Sequence, residues 1–225
     1  IDGVLVYDVR RKIGQMLHEE EPVRADSVCP VPDSGTAYAI GYAEGSKIPF
    51  VESLMKNRYS GRTFIMPSQM EREKAVRLKL NPIPAHLKEK SIVLVDDSIV
   101  RGTTSRRIIE MMRDAGAREI HVRIGSPAIK APCYLGVDMP TREELIASNR
   151  IEDEVRHKIT ATTLHHISIA ALINAIGKDR EDLCTGCLTG CYPLAIEGEQ
   201  VKMRQVDFVD ATYQTKLGSF ETEST

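Results

Sequence analysis

Two carboxylates, Asp96 and Asp97, stand side by side directly after the aliphatic run Ile92, Val93, Leu94 and Val95. Adjacent carboxylates repel one another and resist burial, so a purely structural role at the end of a buried strand is disfavoured. They require a cation or a set of hydroxyl donors opposite them. The residues that follow, Ser98, Ile99, Val100, Arg101, Gly102, Thr103 and Thr104, make a short hydroxyl-rich loop with one glycine. Behind that loop Ile108, Ile109 and Met112 fall on one face of an amphipathic segment. A loop of this kind, opening a helix, turns successive backbone N–H groups toward one point, the arrangement that holds phosphate.

A second candidate lies upstream. Pro32, Asp33, Ser34, Gly35 and Thr36 separate a short strand candidate, residues 25–31, from a small-residue helix containing Ala37, Ile40 and Ala43. Alone, such residues describe a turn and a helix cap. Their place at the carboxyl end of a strand is also where ligands bind in open α/β sheets.

Residues 56–79 carry Lys56, Arg58, Arg62, Arg72, Lys74, Arg77 and Lys79, broken by Gly61 and Pro67. A solvated charge run is the default for such a stretch, and Glu71 and Glu73 agree with it. Beside two anion-holding loops it is equally suited to a lid that excludes water from a hydrolysable intermediate, with Arg62 and Lys79 facing the ligand. Near the carboxyl terminus Cys184, Cys187 and Cys191 form a CxxCxxxC pattern whose thiolates can converge on zinc or on an iron–sulfur cluster. Cys133 lies upstream in KAPCYLG.

The elements that must position these residues follow from hydrophobic spacing. The unbroken run 92–95 reads as a strand covered on both faces. Residues 8–20 read as a helix, 50–55 as a strand and 81–89 as a connector. Gly116 ends the helix behind the hydroxyl loop, and residues 118–124 alternate as a strand with Ile120, Val122 and Ile124 on one side. Thr141 with Glu144 has the pattern of a capping box, and Ile151, Val155 and Ile159 continue at helical spacing. Residues 164–168 read as a last strand, with His165 and His166 at its half-exposed end. Ile169, Leu172, Ile173 and Ile176 before Gly177 form a last core helix. Repeated alternation of strand and helix predicts a parallel α/β sheet. The expected division is a main domain over 1–178, with a lid at about 56–80, and a cysteine-containing extension over 179–225.

With 225 residues the chain can bury one substantial core. A net charge of −2 gives no general attraction to nucleic acid or to an anionic membrane, and the absence of tryptophan argues against a base-stacking surface. No apolar run reaches membrane-spanning length and the start lacks a secretory layout, so a cytoplasmic protein is expected. Five cysteines, an odd number, favour metal binding over a disulfide scaffold in that compartment.

VLVDDSIVRGTTS resembles the phosphoribosyl-pyrophosphate (PRPP) signature of type I phosphoribosyltransferases. With KNRYSGRTFIMPSQ before it and SPAIKAPCYLGVDMPTREELIA after it, residues 1–193 are similar to the phosphoribosyltransferase half of the glutamine PRPP amidotransferase family. The resemblance implies a type I phosphoribosyltransferase fold: an α/β fold with a parallel central sheet flanked by helices, here with a Cys-containing C-terminal extension. It implies transfer of ammonia nitrogen onto PRPP, giving 5-phosphoribosylamine and pyrophosphate at the first step of de novo purine biosynthesis. Asp33, Ser34 and Gly35 would meet the diphosphate, Ser98 through Thr104 the 5′-phosphate, and Ser34, Asp96 and Asp97 a Mg2+ site.

In members with a [4Fe–4S] cluster, Cys133, Cys184 and Cys187 correspond to ligands. That family's fourth ligand lies upstream of Ile1, so Cys191 or Cys29 substitutes, the segment is supplied separately, or the site is incomplete. The family's catalytic amino-terminal cysteine has no counterpart in a chain starting at Ile1. Free ammonia is therefore the expected nitrogen source unless a glutaminase domain or subunit assists. A homo-oligomer inhibited by purine nucleotides is also implied. The rivals are a nucleobase-salvage transferase and a non-catalytic sensor of PRPP or purine nucleotides.

Overall fold

The computed structural model describes residues 1–57, 80–137 and 141–196. Ile1–Leu194 forms one compact unit and Ala195–Thr225 a second, of which only 195 and 196 are described. The expected lid, including Arg62 and Lys79, lies outside the described residues apart from its flanks.

The first unit is built on a four-stranded sheet of β1 (Ser27–Pro30), β4 (Ser91–Asp96), β5 (Glu119–Ile124) and β6 (Thr163–His166), paired in that order and all parallel. β4 is central because every residue from Ser91 to Val95 is buried, which requires cover on both faces. Its side chains divide by parity. Ile92 and Leu94 join Ile108, Ile109 and Met112 in one core, whereas Val93 and Val95 join Tyr38 and Tyr42 in the other. The first core is covered by α4 (Thr103–Asp114) and α5 (Glu152–Ile159), the second by α1 (Val6–Glu20), α2 (Thr36–Ser46) and α6 (Ile169–Ile176).

α2 follows β1 and α4 follows β4, yet they lie on opposite faces of the sheet. After α2 the chain returns to the outer side of β1, where Val28 bridges Phe50 in parallel, before crossing to β4 on the inner side. The chain thus turns away in both directions between β1 and β4. That is a topological switch point, and it opens a crevice at the strands' carboxyl ends.

Several expectations are corrected. Of residues 50–55, Phe50 makes an isolated bridge and Leu54 and Met55 open the short strand β2 (Leu54–Lys56), antiparallel to β3 (Leu80–Pro82). The connector at 81–89 contains that strand's end and a one-turn helix, α3 (Pro84–Leu87), whose Leu87 is fully buried. The deepest residues of α6 are Ala171 and Ala175, because a helix lying close on α1 favours small side chains at the contact. Thr141 caps no helix with its side chain; Arg142–Glu144 is a 3-10 turn, and Glu144 bonds Arg101 instead.

His165 and His166 are not a half-exposed strand end. His165 Nε2 lies 2.9 Å from Glu20 Oε2 and its Nδ1 3.7 Å from Glu152, while His166 Nδ1 lies 2.8 Å from Glu152 Oε1. Burial alone would lower the His165 pKa, but the Glu152 and Glu20 carboxylates outweigh it and raise it to about 9. On the α1 face of β5, Arg123 is 1% exposed, its guanidinium donating to the carbonyls of Glu21 and Val122 and to the Thr163 hydroxyl. Among the described residues no helix is long and apolar enough to cross a membrane.

Candidate active site

The crevice between β1 and β4 holds a cavity of about 330 Å³ lined by Val31, Ser34, Asp96, Asp97 and the loop from Ser98 to Ser105. Both candidate loops therefore face one space, as their positions after parallel strands require. Their backbones are stitched to the sheet. Val31 N–H donates to the Val95 carbonyl at 2.8 Å, and Gly125 N–H, at the end of β5, donates to that of Asp96 at 2.9 Å.

Gly35 sits where the first loop presses on β4. Its N–H donates to the Val31 carbonyl at 2.9 Å, and a Cβ there would collide with the Val95 carbonyl oxygen. Only glycine permits this approach. The Pro32–Asp33 peptide before it is cis, and Asp33 pairs with Lys56 at 2.6 Å across the exposed rim.

The second loop ends at Gly102, whose φ of 76° lies in the left-handed region. The first intrahelical bond of α4 runs from Arg106 N–H to the Gly102 carbonyl. The N–H groups of Thr103, Thr104 and Ser105 thus head the helix without intrahelical acceptors, at the positive end of its dipole, and all three residues line the cavity.

Asp96 accepts the Asp97 N–H at 2.9 Å, and the Ser98 hydroxyl donates to Asp97 at 3.3 Å. Burial, and then the charge of Asp97, push the Asp96 carboxyl well above its ordinary range. Among the described residues no Lys, Arg or His side chain forms an ion pair with either aspartate. Among the described residues the doublet thus stands without a cationic partner, beside a set of anion-seeking N–H groups. Its field reaches Tyr38, whose pKa is raised first by burial and further by Asp97 and Asp96, against the opposing Arg10.

No group of three His, Cys, Asp or Glu among the described residues converges closely enough to hold a metal ion as it stands. For Mg2+ that is expected, since this cation keeps several waters and is held by one or two carboxylates together with substrate phosphates. The uncompensated doublet fits such a cation. The cluster-ligand candidates Cys133, Cys184 and Cys187 are likewise not gathered into a preformed cage. They are nonetheless neighbours. The Lys130 and Ala131 N–H groups donate to the Cys187 carbonyl at 2.9 and 3.0 Å, and backbone N–H groups of Leu135, Val137 and Gly136 lower the Cys133 pKa. Burial raises that of Cys187, as do the nearby thiols of Cys133 and Cys184. Cys29 is excluded from this group, being fully buried in β1 beside Ser53 and Leu54 with its pKa raised to about 11 by desolvation.

Two contributors were not visible in the sequence: Lys56 as the partner of Asp33, and the buried segment Leu145, Ile146 and Ala147 packed behind the second loop. The basic composition around Lys56 was its only signal.

Parallel sheet, switch-point crevice and paired loops define an open α/β domain with a ligand-binding cleft at its switch point. No family model matches the chain. It is 55% identical over 205 residues to an amidophosphoribosyltransferase of Methanocaldococcus jannaschii, covering 91% of this chain and 43% of that protein. The corresponding figures for the Methanothermobacter thermautotrophicus enzyme of the same name are 56% identity over 199 residues, 88% and 42%. The solved structure of glutamine PRPP amidotransferase from Bacillus subtilis, complexed with ADP and GMP, superposes with a TM-score of 0.80 at 50% identity, covering 88% of this chain and 45% of that one. Over about nine-tenths of its length the chain matches the phosphoribosyltransferase half of the amidophosphoribosyltransferases, spanning less than half the length of these relatives.

Proposed function

We propose that the chain transfers ammonia nitrogen to PRPP, releasing pyrophosphate and forming 5-phosphoribosylamine for purine biosynthesis, as a cytoplasmic pentosyltransferase. The observation that carries this reading is the shared cavity. A carboxylate pair that no described Lys, Arg or His compensates and a helix-heading row of N–H groups face the same 330 Å³ space, which matches a ligand with ribose hydroxyls at one end and phosphate at the other.

In the reaction the ammonia lone pair forms a bond to ribose carbon one, the bond from that carbon to the diphosphate oxygen breaks, and the electron pair leaves with pyrophosphate. A proton is then lost from the nitrogen. The 5′-phosphate is seated by the N–H groups and hydroxyls of Ser98 through Thr104, while Asp96 and Asp97 take the ribose hydroxyls and oppose positive charge developing on the sugar. Asp33, Ser34 and Gly35 meet the diphosphate, and Arg62 and Lys79 are the residues proposed to supply it with positive charge. Ser34, Asp96 and Asp97 are the residues to hold Mg2+, which when bound neutralises the leaving group.

Cys133, Cys184 and Cys187 are proposed to hold a [4Fe–4S] group after a local rearrangement, with Cys191 or a further segment completing the set. Iron and acid-labile sulfide assays on anaerobically purified protein test this, and zinc in their place refutes it. Glutamine use is assigned to a glutaminase domain or subunit. A homo-oligomer inhibited by purine nucleotides is part of the proposal, and the ADP and GMP of the Bacillus subtilis structure support its nucleotide binding. The deciding measurement is pyrophosphate release from PRPP and Mg2+ with ammonia or glutamine. Turnover with ammonia is expected, whereas turnover only with adenine, hypoxanthine or orotate refutes the reading in favour of salvage. PRPP binding without turnover refutes it in favour of a sensor.

A further inference from the structure

Three successive residues of the phosphate loop each touch one short segment that reaches them from more than forty positions downstream. The Val100 carbonyl accepts the Ile146 N–H at 2.9 Å. Arg101 Nε and Nη2 both approach Glu144 Oε2 at 2.6 Å. Ile146 Cδ1 occupies the space a side chain on Gly102 would need, with Ile159 Cγ2 beside it at 3.4 Å. The segment is itself anchored, because Leu145 is fully buried and Ile146 and Ala147 are nearly so.

We infer that Glu144 and Ile146 are positioning residues for the phosphate subsite, the first holding the Arg101 side chain and the second fixing the left-handed turn at Gly102. This inference rests on the PRPP reading of the cavity. Loop N–H groups bind phosphate in proportion to how well they are aimed before the ligand arrives, since each loop torsion left free must be frozen on binding. The Glu144 carboxylate also neutralises the Arg101 guanidinium, which leaves the phosphate to be met by backbone N–H groups. The exposed ion pair adds little to overall stability. Its effect is confined to the loop.

The test uses the 225-residue chain and two conservative variants, Glu144→Gln and Ile146→Val, the latter removing only the methyl group beneath Gly102. PRPP binding in Mg2+ is measured by calorimetry, and pyrophosphate release with ammonia gives KM and kcat. The expected result is a rise in Kd and KM for PRPP of about fivefold to tenfold in each variant, with kcat held within about twofold, because aim rather than chemistry is lost. A purely structural role would shift the melting temperature and leave KM alone, and that outcome refutes the inference. So does a fall in kcat at constant KM, or no change in either variant while the wild type binds PRPP. A wild type that does not bind PRPP refutes the phosphoribosyltransferase reading, and the inference with it, and is recognised before any variant is made.

Discussion

Raising the pH should remove a defined part of the stability of this domain through one histidine. His165 closes a carboxylate network that ties the end of α1 to β6, α5 and the start of α6. Glu20 bonds both His165 and Ser168, and the Ser168 hydroxyl in turn caps Ala171 N–H at 3.0 Å. Its folded pKa of about 9 stands above the unfolded value of 6.5, so the network stabilises fully below about pH 6.5 and its contribution is lost as the pH rises through about 9. The difference corresponds to about 3 kcal/mol at most. The His165 and Glu20 side chains are only 21% and 17% exposed, so solvent screening leaves most of that in place. The lowered pKa of Glu152 describes the same contacts from the other side and is not added. The assay is urea unfolding of the wild type and of His165→Gln at about pH 6 and about pH 9.5, where the stability difference should fall from about 2–3 kcal/mol to under about 1 kcal/mol. Taking the difference cancels titrations common to both proteins. An equal difference at the two pH values would refute the reasoning.

The remaining predictions concern the site and its support. Asp96→Asn should raise the melting temperature, since it removes a buried charge crowded by Asp97, while lowering pyrophosphate release by about a hundredfold or more. Activity near wild type would remove the doublet from the mechanism. Gly35→Ala should cost about 2 kcal/mol or more in denaturant unfolding, because the colliding atom is a backbone carbonyl of β4 that cannot swing aside. A cost near zero would mean that the loop is not pressed against the strand. Arg123→Ala should cost about 3 kcal/mol in the same assay by leaving a cavity and unpaired carbonyls behind α1. A loss under about 1 kcal/mol would show that water replaces the guanidinium.

Local pattern decided what could be read in advance. β4 was legible because an uninterrupted β-branched and aliphatic run is nearly incompatible with a one-sided strand, and the acidic doublet marked its end. The hydroxyl loop and Gly102 were legible for the same reason, since turn and helix-start chemistry lies within a few residues. Thr141 and Glu144 were misread because the capping-box pattern is also local, while the partner that wins Glu144, Arg101, is brought near only by the fold. His165 and His166 failed likewise, their carboxylates lying on α1 and α5. The β2–β3 pair escaped notice because its strands are three residues each and are separated by a long intervening stretch, so neither alternation nor a turn signal announces it. Arg123 and His121 show a further limit. Polar side chains on a strand imply an exposed face, but both are buried, with hydrogen bonds to the Glu21 carbonyl and to the hydroxyls of Ser91 and Thr163 on neighbouring elements.

The carbonyls of Val95 and Asp96 receive N–H groups from the loops that follow β1 and β5, on either side. The mouth of the crevice is therefore an arch whose keystone is main chain, held by N–H groups that no side-chain truncation removes. Its span is fixed by peptide geometry. A redesign seeking a nucleophile bulkier than the proposed ammonia would have to build upward from the rim, because prising the strands apart would unlace the loops after β1 and β5 at once.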